Sequence, residues 1–185
     1  MQERDLQNAA AALQKAIELR PGERELSLLL ADVCIAGGRL AEAEEILEGH
    51  MKQMAKDLSS VELSDLQHRM AQLAYARGDQ AGRLEWLRRA FDTNRKNGTV
   101  AVELADLAEE MNELDLAVKA LRAVTLLPNA SPTLTPARAF LRQAHISLRS
   151  GDRPRAVIFA KRALQEDPRL SDAVDFLKDI GERRV

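Results

Sequence analysis

Three glycines and an asparagine, Gly38, Gly78, Asn112 and Gly151, punctuate the chain 40, 34 and 39 residues apart. Each sits between two stretches whose apolar residues recur at helical spacing, so the pattern predicts a series of helix-turn-helix units. A repeat of this length decides the fold before any single residue does. The clearest copy runs from Gly151 to Pro168, GDRPRAVIFAKRALQEDP. It reads as a tight turn, an amphipathic helix with small residues at Ala156, Ala160 and Ala163, and a proline stop.

Composition supports helices throughout. The 185 residues are 45% hydrophobic but only 3% aromatic, and the dominant Ala, Leu, Glu and Arg are strong helix formers. β-Branched runs are almost absent, so no strand is expected. Charge is uneven along the chain: residues 1–65 hold 7 basic and 13 acidic side chains, residues 138–185 hold 11 and 7. That asymmetry suits either a solvated helical surface or a partner of mixed charge.

Taken in order, residues 5–19 place Leu6, Ala9, Leu13, Ala16 and Ile17 on one helical face, and Pro21-Gly22 stops them. The run 23–36 carries Leu26, Leu29, Leu30, Val33 and Cys34, and Gly37-Gly38 ends it as a left-handed C-cap pair would. A stripe then extends from Leu40 to Leu58, about 19 residues or roughly 28 Å at 1.5 Å per residue. Ser59 and Glu62 offer a capping box to the next helix, whose apolar face is Leu63, Leu66, Met70, Leu73 and Ala74. Residues 80–94 follow with Leu84, Leu87, Ala90 and Phe91 inward. Beyond Asn97-Gly98-Thr99 come a helix through Met111 and a partner from Leu114 to Leu127. The segment 128–136, PNASPTLTP, reads as a surface loop, and Thr135-Pro136 as the cap of a helix to about Leu148. The Gly151 stretch and a last helix from about Leu170 to Ile180 bring the expected total to ten helices, with Gly181 and the tail fraying.

A helix pair near 34 residues, with insertions in two copies, resembles the tetratricopeptide repeat. The residues that carry the resemblance are the small ones. Ala31, Ala71, Ala105 and Ala144 match the first helix, Ala43, Ala117 and Ala156 the start of the second, and Ala90, Ala163 and Pro168 its end. Ala9, Leu13, Ala16 and Pro21 match the second half of a unit whose first half is missing. The sequence departs at Arg83 and His50, which stand where alanine is usual, and at Ser27, Gln67 and Ala101, which replace early aromatics. The resemblance covers nearly the whole chain. It implies a single all-α domain over 1–185, a right-handed α-α superhelix: half-repeat 5–21, repeats near 23–58, 60–96, 98–128 and 134–167, and a capping helix 169–181. Stacked pairs would share one continuous core, and a leucine at the alanine positions would overpack by about 1–3 kcal/mol.

Residue types that carry chemistry are sparse. His50, His68 and His145 lie far apart, with no HExxH, no phosphate loop and no nucleophile elbow. Cys34 reads as a small core hydrophobe. No catalytic residue, cofactor or metal is therefore expected. The basic clusters Arg88-Arg89, Arg95-Lys96, Arg153-Arg155 and Lys161-Arg162 are interrupted by acids, and the pI is about 6.0, which argues against nucleic acid. No apolar run approaches the roughly 20 residues of a membrane span. The opening MQERDLQNAA lacks the apolar core of a signal peptide, so a soluble chain is expected, cytoplasmic if Met1 is the native start.

The resemblance implies a protein-interaction module that binds a peptide or helix of a partner on the concave side, lined by first helices. Its phases place Glu25, Asp32, His68, Gln72, Tyr75, Asp106, Glu109, Arg138, Arg142 and His145 there. Tyr75 and Arg142 read as anchors, with inter-repeat packing as the other account of Tyr75. The asparagines of the family's carboxylate-clamp subtype are missing. Two further readings remain open: a homodimer formed through the apolar edge of the first helix, and a repeat segment of a larger enzyme or assembly machine.

Overall fold

A computed structural model describes residues 3–54, 57–126, 131 and 133–181. Among these, ten α-helices and no strand are present: α1 (Glu3–Leu19), α2 (Arg24–Ala36), α3 (Leu40–Met54), α4 (Ser60–Ala76), α5 (Gln80–Thr93), α6 (Gly98–Glu110), α7 (Leu114–Leu126), α8 (Pro136–Arg149), α9 (Arg153–Glu166) and α10 (Ser171–Asp179). They form two compact units, Met1–Thr93 and Asn94–Val185.

The turns create the pairs. Gly38, Gly78 and Gly151 have φ of 74°, 74° and 79°, and Asn112, the non-glycine member of the series, has φ of 61°. At each, two backbone N–H groups reach back to the preceding helix. Gly38 N–H donates to Ile35 O at 3.1 Å and Arg39 N–H to Cys34 O at 2.8 Å; Gly151 and Asp152 repeat this onto Leu148 and Ser147. These bonds satisfy carbonyls that a helix end leaves open, and they require a left-handed residue at the corner. Asparagine bears that conformation at lower cost than most side chains. Gly181, at φ 75°, closes α10 in the same conformation.

In the first unit α1 turns its apolar side inward. Ala10, Leu13 and Ile17 pack with Leu30, Ala31 and Cys34 of α2, Ala43 and Leu47 of α3, and Leu66, Met70 and Leu73 of α4. Leu6 and Ala10 of α1 are buried, while Ala9, Leu13, Ala16 and Ile17 are half-buried. Among the described large apolar residues of α1, only Leu19 is exposed. The capping box forms as expected: Glu62 N–H donates to Ser59 Oγ at 3.3 Å, and Ser59 N–H to Glu62 Oε2 at 2.9 Å. The stripe expected to stay helical to Leu58 does not: Asp57 lies in a turn and Leu58 in a bend, from which Leu58 packs on the same core.

In the second unit α8, α9 and α10 share a core of Ala137, Leu141, Ala144, Ala156, Ala160, Ala163, Leu170, Ala173 and Phe176. Ala144, Ala156, Ala160, Ala163 and Ala173 have no exposed surface, which is the close helix approach that small residues allow. Pro136 opens α8, and Thr135 Oγ1 accepts Arg138 N–H at 3.4 Å. Residues 128–130 and 132 of the proline-rich loop and the residues after Gly181 lie outside the described residues.

Candidate functional site

The residues assigned to a first-helix surface fall into two groups, one on each unit. On the first unit, α2 and α4 supply Glu25, Asp32, His68, Gln72 and Tyr75. Asp32 is engaged: Arg69 Nε donates to its Oδ1 and Oδ2 at 2.9 and 3.2 Å, tying α2 to α4. Arg69 was not among the residues picked from the sequence, although it stands one repeat length after Asp32. A second tie joins α3 to the end of α4, where Arg77 grips Glu44 at 2.6 and 2.7 Å. The hydrogen bond from Arg77 holds the Glu44 carboxyl below the usual range.

Tyr75 is 62% exposed, so packing between repeats is not what it does. The Arg83 guanidinium from α5 lies over its ring at 4.5 Å, a cation–π contact that restrains the side chain. Gln72, one turn earlier on α4, is exposed, and His68 is half-buried. A separate cavity of about 430 Å³ opens at the other end of these helices, lined by Arg24, Glu25, Leu28, His50, Asp65 and Arg69 among others. Of the residues expected at the surface, Glu25 alone borders it.

On the second unit, α6 and α8 bring Asp106, Glu109 and Arg142 together. Arg142 Nη1 meets Asp106 Oδ1 at 2.7 Å, and Nη2 meets Glu109 Oε1 at 2.6 Å. Burial would lower the Arg142 pKa, but the hydrogen bonds and charges of Glu109 and Asp106 outweigh it and raise it. Arg142 is therefore an inter-helix clamp. His145 packs its ring edge-on against Phe176 of α10, centroids 4.6 Å apart, while Arg138 stays exposed. Arg149 extends the tie by donating to Asn112 Oδ1 at 3.2 Å.

Chemistry beyond binding finds few groups. Among the described residues no cluster of three or more His, Cys, Asp or Glu side chains could hold a metal. Cys34 has no exposed surface, and that burial raises its thiol pKa, which disfavours the nucleophilic thiolate. No described helix is long and apolar enough to cross a membrane.

Residues 1–63 match the tetratricopeptide repeat family model. No curated protein sequence matches the chain. Solved structures of the same architecture include YrrB, described as a TPR protein with an unusual peptide-binding site. It is 20% identical, with a TM-score of 0.59 over 95% of this chain and 84% of that one. MamA is also 20% identical, with a TM-score of 0.62 over 90% and 91%. BtubC from P. vanneervenii is 16% identical, with a TM-score of 0.64 over 98% and 84%. At these identities the likeness establishes the fold.

Proposed function

We propose that this chain, a tetratricopeptide-repeat protein by sequence over residues 1–63 and by fold along its length, is a non-catalytic scaffold that binds a peptide or helix of a partner protein on its first-helix surface. Tyr75 carries this reading. It is a large aromatic left 62% exposed on a first helix and held by the Arg83 guanidinium. A restrained ring loses little further entropy on contact, and tyrosines of this kind often dominate interface energy. Exposed Gln72 and Glu25 supply polar groups on the same unit. YrrB, with this fold, has a peptide-binding site by its description, which supports a peptide as the ligand class. Arg142 takes no part as an anchor, since its charge is already met by two carboxylates.

Peptides selected by display against the full chain test the reading. Tyr75→Ala should weaken them by about tenfold or more. Ile158→Ala, which removes a comparably exposed apolar side chain from α9, should leave them bound. The absence, among the selected peptides, of any class weakened in the Tyr75→Ala protein contradicts it.

A further inference from the structure

The arginines of the second unit differ in what they meet. Arg142, on the first-helix side, is locked between two carboxylates. Arg122, Arg155 and Arg162, on second helices α7 and α9, are exposed and in no ion pair among the described residues. All three border a groove of about 610 Å³ whose walls are α7 and α9 and whose floor is α8. We propose that this groove is a second docking site, distinct from the first-helix surface, for an acidic peptide segment of a partner protein that carries one aromatic or large apolar anchor.

The apolar component is equally specific. Phe140 from α8 and Phe159 from α9 stack with centroids 6.3 Å apart. Arg155 lies over the Phe159 ring at 5.5 Å and Arg162 over Phe140 at 5.9 Å. Each guanidinium thus covers an aromatic face with one side and keeps donors turned outward, so a carboxylate and an apolar side chain can be met at adjacent points. Leu126 stands 66% exposed at the α7 wall. The groove volume falls in the range of ordinary ligand pockets, about 300–1,000 Å³.

Charge on the lining selects the ligand's sign. The lining sets Arg122, Arg155 and Arg162 against two carboxylates, Asp115 and Asp152. Asp152 is already used: its Oδ1 accepts Arg155 N–H at 3.0 Å as the cap of α9. On the floor Gln143 is buried, its carboxamide Nε2 donating to Ala139 O at 3.5 Å. A basic or purely apolar segment would leave three guanidinium groups facing no counter-charge, so an acidic occupant fits best.

A random peptide array probed with the full chain tests this. The parent is compared with the triple variant Arg122→Glu, Arg155→Glu, Arg162→Glu and with Tyr75→Ala; these positions are exposed, and helical circular dichroism confirms that each variant stays folded. The expected result is a class of binders rich in Asp and Glu around a Trp, Phe or Leu. The triple variant should weaken them at least about tenfold, Tyr75→Ala should not, and added salt should reduce them. The absence of any class lost in the triple variant, or a class of basic composition, overturns the proposal. So does loss that traces to concentration-dependent self-association of the parent. Failure of the Tyr75 surface alone leaves this groove's result unaffected, so the two readings are judged separately.

Discussion

Ser27 Oγ and His50 Nε2 lie 2.7 Å apart, joining α2 to α3. Each replaces a residue type usual in the repeat, an early aromatic and an alanine, and the two departures meet. Burial, with the charges of Arg24 and Arg69, lowers the His50 pKa below its ordinary value. A histidine kept neutral in the fold but free to protonate when unfolded stabilises the fold above its unfolded pKa of about 6.5. That contribution fades as pH falls from there toward the lowered folded pKa. Thermal midpoints measured from about pH 7.5 down to about pH 5.5 should therefore decline, and His50→Ala should flatten the decline. Equal slopes in parent and variant would dismiss the assignment.

Arg142 should behave as a clamp. Its side chain is 26% exposed and that of Glu109 24%, so Arg142→Ala leaves two neighbouring carboxylates without their cation. The expected loss is about 1–2 kcal/mol, allowing for the half-exposed Asp106. A double-mutant cycle with Glu109→Gln in urea melts should return a favourable coupling. Additive effects would mean that the pair is a surface coincidence.

The turn at Asn112 offers a clean test of the repeat geometry. At φ of 61°, Asn112→Ala should destabilise by about 1 kcal/mol. Asn112→Gly should cost less than Asn112→Ala, because glycine adopts that conformation freely and both variants give up the Arg149 hydrogen bond equally. The reverse order in denaturant midpoints would contradict a left-handed corner.

Cys34 should be silent in the native protein. With no exposed surface and a raised pKa, it should react with a thiol reagent only as fast as the fold opens. Labelling kinetics in increasing urea should rise in step with unfolding. Rapid labelling without denaturant would show that α2 does not pack as described.

How much of this was readable from the residues differs between fold and surface. Gly38, Gly78, Asn112 and Gly151 marked the corners because only a few residue types accept a left-handed backbone. The recurring alanines marked helix contacts because only small side chains fit there. Surface roles carry no such restriction. Helical phase put Asp106, Glu109 and Arg142 on one side of their helices but could not say that they would pair with one another. The same pairing across one repeat length hid Arg69, the partner of Asp32. Tyr75 was ambiguous for a related reason: spacing fixes where a side chain starts, whereas exposure depends on what stacks above it. The stripe through Leu58 was overread as helix because Leu58 is apolar and in phase, yet it reaches the core from a bend.

The most direct test of the scaffold account is amide chemical-shift mapping of the labelled full chain with a selected peptide that still binds the Arg122→Glu, Arg155→Glu, Arg162→Glu variant. The account predicts saturable shifts centred on α4 around Gln72 and Tyr75 and reaching Arg83, abolished by Tyr75→Ala. Saturable binding that leaves those amides unmoved would contradict it.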